Sequence, residues 1–371
     1  MANLFQFSTR LQNKLDTLKS RRTPITLNGV HFSGPLIMAP MSAICHAPFR
    51  LLMEMLGAGG TVSELISCYG INYKNVKTLE MLRSLPQEQN FGIQLFGDDP
   101  NAMGEAAAFV EQEIGPKFID INMGCPVRKV VTKGAGSALM KEEEKLGKYF
   151  NGIKKRITIP LTVKIRTGWD ENNINAEQVV HIAKEEGLSF VSIHGRTRAQ
   201  GYKGLANWEI IEEIASKKIL PILGNGDLHW PHQARERLLN TNCSGLLLAR
   251  GPLRSPFIFT LPYLESSDDI TFDAADYLEI IEVYLGILQH FFKTHRPIET
   301  NLKKQAVWMA QGLPGAASFR SEVFHQNGID QTWKFIKAFY GQLAQNTNGP
   351  GANFGIMPPA AQEDFMAGGH G

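Results

Sequence analysis

Lys117-Phe-Ile-Asp-Ile-Asn-Met-Gly-Cys-Pro-Val-Arg-Lys-Val-Val-Thr-Lys-Gly-Ala-Gly-Ser-Ala-Leu-Met140 is the stretch from which the fold can be read. A short apolar strand, Phe118 to Ile121, runs into a polar turn holding Asn122, Gly124, Cys125 and Pro126. A basic, glycine-containing loop with Arg128, Lys129 and Lys133 follows, and helical spacing resumes near Lys141. A cysteine just beyond a strand's carboxyl end, between Gly and Pro, is poorly suited to filling a core. It sits where parallel α/β folds display reactive groups.

The same strand-then-helix alternation extends in both directions. Strand-length apolar runs occur at 35–39, 60–64, 91–95, 118–121, 161–165, 190–194, 220–224 and 245–249. Helical spacing occupies 48–56, 100–114, 142–153, 176–186, 208–215 and 231–239. Strands that are mostly apolar rather than alternating predict burial on both faces. Eight such units predict a (β/α)8 TIM barrel over residues 35–261. An open doubly wound sheet is the structural rival, weakened by the lack of a GxGxxG turn after the first strand. Residues 1–34 read as a basic arm followed by a hairpin, Ile25–Phe32 around Asn28-Gly29, that closes the barrel's amino-terminal end. From 262 to 345 strand signals stop, and helices are expected at 274–292, 300–311, 316–324 and 331–345. The Gly-, Pro- and Ala-rich residues 346–371 read as a flexible tail.

Charge is +2 over 371 residues, so any nucleic-acid partner must meet a local patch rather than bulk charge. Cys45, Cys68, Cys125 and Cys243 form no CxxC pair, which predicts neither a zinc site nor a disulfide framework. No apolar run approaches ~18 residues, so no membrane span is expected. The first 24 residues lack a signal peptide's apolar core. Arg10, Lys14, Lys19, Arg21 and Arg22 face only Asp16 there, which suits a solvated helix or an arm touching an anionic partner.

The strand ends bring polar groups to one mouth: Pro40-Met41-Ser42, Glu64, Gln94, Asn122 with Cys125, Lys164 with Arg166, His194 with Arg196 and Arg198, Asn225-Gly226-Asp227, and Ala249-Arg250. Glycine-containing turns after strands seven and eight suit a phosphate held by backbone N–H groups. Lys164, inside an apolar strand, is either paired structurally or aimed at an electron-rich ligand, and Gln94 can donate to and accept from a flavin edge. Cys125 has no visible third partner for a nucleophile's triad, whereas a thiol near its ordinary pKa of ~8.5 stays protonated and can act as an acid.

With these residues in place, the chain resembles the tRNA-dihydrouridine synthases from about Pro35 to Trp308. The resemblance rests on Asp120-Ile-Asn-Met-Gly-Cys-Pro126 with Gly134-Ala-Gly-Ser-Ala-Leu-Met140, on Val163-Lys-Ile-Arg-Thr-Gly-Trp169, on His194-Gly-Arg-Thr-Arg-Ala-Gln-Gly-Tyr202 and on Gly224-Asn-Gly-Asp227. Lys303-Lys-Gln-Ala-Val-Trp308 is most similar to the bacterial DusB-type branch. The resemblance implies a flavin-binding barrel with a helical tRNA-binding domain, FMN as cofactor, NADPH as its reductant, and reduction of a D-loop uridine to 5,6-dihydrouridine. It implies hydride from FMN N5 to C6 and a proton from Cys125 to C5. Carried over residue by residue, Pro40, Met41, Ser42, Gln94, Lys164, Asn225, Gly226, Asp227, Ala249 and Arg250 would hold FMN. Asn122, Arg166 and Arg196 would face the uridine or its phosphates, and His194 either ligand. A cytoplasmic monomer without a metal is expected.

Three positions depart from the family pattern. Ala43-Ile-Cys-His46 lacks the usual acidic residue before Pro48-Phe-Arg50, Ala249 stands where glycine is usual, and Gln305 replaces a basic or histidine position. Two other classes fit parts of the chain. One is an FMN barrel reducing a small enone or pyrimidine, which needs no basic cleft. The other is an RNA-binding protein that has kept the barrel, which would be colourless when purified.

Overall fold

The computed structural model describes residues 5–345. The tail expected at 346–371 lies outside the described residues. β1 (Ile25–Leu27) and β2 (Val30–Phe32) pair antiparallel as a hairpin. β3 (Leu36–Met38), β4 (Thr61–Ser67), β5 (Phe91–Phe96), β6 (Phe118–Met123), β7 (Leu161–Arg166), β8 (Val191–His194), β9 (Ile222–Asn225) and β10 (Gly245–Leu248) follow. These eight close into a parallel barrel in which β10 pairs with both β3 and β9. The TIM-barrel expectation therefore holds, and the open sheet is excluded.

The strands are buried on both faces for two different reasons. Outward, Ile93, Ile119, Ile121, Val163 and Ile193 pack with helix residues such as Val110, Phe150 and Val179 in one apolar layer. Inward, Ile37, Val62, Phe118, Phe190, Leu223 and Leu247 fill the amino-terminal end and meet Leu27, Val30 and Phe32 of the hairpin. Phe32, Phe118 and Phe190 contact one another edge to face, with centroids 5.6 to 5.9 Å apart. The hairpin is thus a plug.

Local signals explain the helices that match. Asp99 caps Pro100–Ile114, its Oδ1 accepting from Ala102 N at 2.8 Å, and Gly115 ends it at φ +65°. Other elements differ from expectation. β6 runs to Met123, so Asn122 belongs to the strand rather than to the turn. β4 extends to Ser67 with a register shift between Val62 and Leu65. It leads into two short helices, Cys68–Asn72 and Val76–Met81, too brief to show a period in sequence. The helix expected from Thr300 starts at His295 (His295–Met309), because Pro297 sits in the first turn, where its missing N–H has no partner to lose.

The N-terminal helix Thr9–Lys19 is neither a solvated face nor a free arm. Leu11, Leu15 and Leu18 are fully buried in a cluster with Phe257, Phe272, Ile280 and Tyr284. Arg10 and Lys14 each reach Asp276 at 2.8 Å, and Arg21 pairs with Asp268. The anionic partner of this helix is the chain itself. Helices Ala274–Phe291 and His295–Met309 join the same cluster, so the C-terminal helices share a core with one side of the barrel.

Gly92 makes the interior layer possible, since a Cβ there would lie 2.3 Å from the ring of Phe118. Gly92→Ala is expected to destabilise the fold by about 1–3 kcal/mol in urea unfolding, and adding Phe118→Leu should recover part of the loss. An unchanged midpoint for the single variant would contradict this packing.

Candidate active site

Above the apolar plug, the inner wall turns polar strand by strand. Alternate residues of a strand share a face. On β6 the inner series is Phe118, Asp120, Asn122; on β7 it is Thr162, Lys164, Arg166. Asp120 pairs in register with Thr162, Asn122 with Lys164, Arg166 with His194, and His194 with Asn225. Parallel register thus lifts these groups to similar heights at the mouth.

Asp120 accepts from Gln94 Nε2 at 2.6 Å and from Thr162 Oγ1 at 2.7 Å. Gln94 Oε1 in turn accepts from Asn122 Nδ2 at 2.9 Å. Lys164 Nζ donates to Asn225 Oδ1 at 3.1 Å, and Asn225 Nδ2 to Leu247 O at 2.7 Å. Burial shifts these groups toward neutrality. It pushes the Asp120 carboxyl up to about 6 and, with Arg166 nearby, takes Lys164 down to about 8. Burial, then Lys164 and the arginines 166, 196 and 250, hold His194 well below its ordinary range. Its Nε2 lies 3.3 Å from Arg196 Nη1, and because guanidinium only donates, Nε2 is the acceptor.

Cys125 is half-buried and gripped by its main chain. Its N–H donates to Asn122 Oδ1 at 2.9 Å. Its carbonyl accepts from Ser137 N at 3.2 Å and Ser137 Oγ at 2.9 Å. Gly136, at φ +62°, allows that approach, because a Cβ would stand 3.0 Å from the Cys125 carbonyl oxygen. Burial raises the thiol above its ordinary value, with a hydrogen bond from the Val127 main chain and then Arg166 drawing it partly back. The thiol is therefore protonated at neutral pH, and the ring of His194 is engaged with Arg196.

Two arginines expected to face substrate are committed to the scaffold. Arg166 donates to the carbonyls of Gly124, Thr197 and Gly201 at 2.7 to 2.9 Å. Arg196 donates to both oxygens of Asp227, at 2.8 and 2.9 Å, and to Gly204 O at 2.6 Å. Asp227 also accepts from Ala206 N, so its carboxylate ties the loops after β8 and β9 together. Gly226, at φ +138°, has no room for a Cβ beside Ala206. Next to them Arg250 and Arg254 approach His229, whose pKa falls to about 4 through burial and then these two charges. Arg254 Nε and His229 Nδ1 are buried with no hydrogen-bond partner.

The loop after β3 carries Pro40 and Met41, both partly buried, and Ser42, exposed at the rim. Arg50 fixes this loop by donating to Cys45 O at 2.9 Å, itself held by a buried pair with Glu88 at 2.6 Å. Beside it a cavity of about 450 Å³ separates the barrel from His295–Met309, lined by Glu64, Lys77, Arg83, Arg296, Asn301 and Lys304 among others. His46, the departure in this loop, also borders it and stacks parallel to Tyr284 at 6.5 Å. Lys303 is buried against Glu299 and Gln326 O, each at 2.6 Å. Arg128, Lys129 and Lys133 are exposed at the rim beyond Cys125.

Sequence reasoning gave no role to Asp120, although a carboxylate two residues before Asn122 in an apolar strand carries the signal that singled out Lys164. Arg254 was legible as the residue one turn after Arg250. Arg296 comes from a distant helix and had no signal.

The dihydrouridine synthase (Dus) family profile matches residues 37–344 of the chain. A probable tRNA-dihydrouridine synthase of Rickettsia prowazekii is 34% identical over 305 residues, 81% of this chain and 92% of that protein. The tRNA-dihydrouridine synthase B of Pseudomonas aeruginosa is 33% identical over 321 residues, 85% of this chain and 96% of its own. Among solved structures, a 2-naphthoyl-CoA reductase in complex with 2-naphthoyl-CoA superposes with a TM-score of 0.51 at 13% identity, over 65% of this chain and 52% of that one. That likeness concerns the fold alone.

Arg166→Met leaves three carbonyls without their donor. The expected result is a loss of about 2–4 kcal/mol, with faster amide exchange at 123–126 and 196–204. Unchanged exchange with weakened ligand binding would instead return Arg166 to a ligand role.

Proposed function

The chain belongs to the dihydrouridine synthase family, on its DusB-type branch, and from that premise we propose that it reduces a uridine of the tRNA D-loop to 5,6-dihydrouridine. The observation that carries this reading is the protonated, half-buried thiol of Cys125, clamped at a barrel mouth lined by Gln94, Asn122, Lys164 and His194. A carbon that must gain a proton, such as C5 of a uracil taking hydride at C6, needs a proton donor held at one face, and general acids supply about 10²–10⁴-fold.

The residues present fit FMN. Lys164 offers a cation to an electron-rich ring edge, and Gln94 and His194 lie in reach of the same mouth. The unpartnered Arg254 Nε and His229 Nδ1, with Arg250 and the Asn225-Gly226 turn, suit its phosphate. Pro40, Met41, Ser42 and Ala249 complete the rim, whereas Asp227 acts by bracing Arg196. When bound and reduced by NADPH, FMN would supply the hydride for C6. Cys125 delivers the proton to C5, and solvent returns one to the thiolate. Asn122 fixes the Cys125 main chain, and Arg166 fixes Gly124 beside it. Residues 262–345 serve as the tRNA-gripping domain. Arg83, Arg296, Lys77 and Lys304 around the cavity and Arg128, Lys129 and Lys133 at the rim supply local charge for phosphates on a nearly neutral chain. The target base must leave its stack to reach the mouth.

The purified protein should be yellow and, with NADPH, reduce tRNA uridine in preference to free uridine or a small enone. A colourless protein that takes up no FMN would overturn the reading. Cys125→Ala should keep flavin content and tRNA affinity but lose about 10²–10⁴ in single-turnover rate. The wild-type rate should stay flat through neutral pH and fall only as pH climbs past the raised thiol pKa, since the acid form is the active one.

Lys164 gives a second pH test. Its pKa is lowered to about 8, so above that pH the free enzyme holds a neutral amine. An anionic ligand must then bind together with a proton, and FMN affinity should fall as pH rises through this value. Lys164→Met should bind FMN more weakly and lose that inflection; an inflection retained by the variant assigns it elsewhere.

A further inference from the structure

The excursion between β4 and β5 presents a face that the reactions above do not use. Tyr69 and Tyr73 stand one turn apart on the helix Cys68–Asn72 and its cap, their rings 6.5 Å between centroids and 17° from parallel. Tyr73 is 81% exposed, Tyr69 36%, and the neighbouring Val76 69%. Tyr69 is fixed in place by its hydroxyl, which donates to Asp98 at 3.0 Å. Two stacked rings kept in water, while Tyr149, Tyr277, Tyr284 and Tyr340 are buried, are an available π-face rather than core material.

The surroundings carry both signs of charge. Lys74 and Lys77 are exposed on the same excursion. Asp98 also lies against Gly134, where a Cβ would be 3.4 Å from its own. That contact brings up the loop carrying Arg128, Lys129 and Lys133, all exposed. Asp98, Glu80 and Asp99 are the acids near this face, and Asp99 is tied to the N-terminus of Pro100–Ile114. The face is continuous with the candidate active site on both sides. Lys77 lines the cavity between barrel and helices, and the 128–134 loop follows Cys125 directly. Ring faces flanked by lysines and arginines are the chemistry that holds unpaired nucleotides, the rings taking a base and the cations its phosphates.

We propose that Tyr69 and Tyr73 form a stacking platform for an unpaired base of the substrate RNA, adjoining the uridine at the barrel mouth. The proposal rests on the tRNA-reducing reading above and adds a specific contact to it. Tyr73 and Tyr69 act on RNA positioning and touch neither cofactor nor the reacting carbons.

The test uses the full-length, FMN-loaded enzyme and unmodified tRNA. Tyr73→Ala, and more so Tyr69→Ala with Tyr73→Ala, should raise Kd and KM for tRNA by roughly tenfold or more, leaving kcat at saturation and flavin content unchanged. Tyr73→Phe, which keeps the ring, should bind as wild type. The added emission of Tyr73→Trp over wild type should be quenched by tRNA. Alanine variants that bind tRNA like the wild type overturn the platform while the reductase reading stands, and leave the face to a protein partner. A wild-type enzyme that neither binds nor reduces tRNA overturns both. Equal losses in Tyr73→Phe and Tyr73→Ala would show that the ring face is not what binds.

Discussion

One buried carboxylate sets the direction of a chain of hydrogen bonds that ends at the reactive cysteine. Asp120 in its charged form can only accept, so the Gln94 amide must turn its NH2 toward it. Gln94 Oε1 is then left to accept from Asn122 Nδ2, and this turns Asn122 Oδ1 toward the N–H of Cys125. No amide in this chain can flip without setting donor against donor inside the barrel. Burial raises the Asp120 carboxyl to about 6, so the neighbouring Lys164 charge helps to keep it ionised. The position of the thiol is thereby tied to the protonation of a group deep in the barrel, through residues that alternate along two adjacent strands.

That chain is affordable only because the barrel is stoppered beneath it. Phe32, Phe118 and Phe190 occupy the amino-terminal end so completely that Gly92 and Gly60 have no space for a Cβ. The small space at this layer is lined by Phe32, Phe118, Phe190, Leu223 and Leu247 with Asp120 and Ser192. The hairpin that supplies Phe32 stands outside the barrel strands, yet it decides which end of the cylinder can carry chemistry.

Regular parts of this arrangement were legible in sequence and long-range parts were not. The eight strands showed themselves as apolar runs, and the mouth residues as polar groups at their carboxyl ends, because period-two geometry and strand polarity are local properties. Cys125, Gln94, Asn122, Lys164, His194 and Asn225 were found this way and come together at the mouth. Contacts within the chain were not legible in this way. Arg166, Arg196 and Asp227 looked like ligand-binding groups, but they bind loop carbonyls and each other. Lys303 looked free and is buried, and the basic N-terminal segment is a strap on Asp276 and Asp268. A side chain's type says what it can bond; which group meets it depends on loops whose paths sequence spacing does not reveal.

Those pairings change how the charge of the site should be understood. The cations around the mouth are Lys164, Arg166, Arg196, Arg250 and Arg254; Asp227 is hydrogen-bonded to Arg196, while Asp120 acts on Lys164 through its charge. Subtracting Arg196 with Asp227, and Lys164 with Asp120, still leaves buried or half-buried positive charge. Lys164, His194 and His229 are all pushed toward neutrality, first by burial and then by the neighbouring cations. Such a site is electrostatically incomplete by itself, and an anion entering it relieves a desolvation cost already present in the folded chain. The cluster also divides its roles: Arg196 is neutralised by Asp227 and holds loops, Arg250 feels the same carboxylate, and Arg254 keeps a buried Nε without a hydrogen-bond partner.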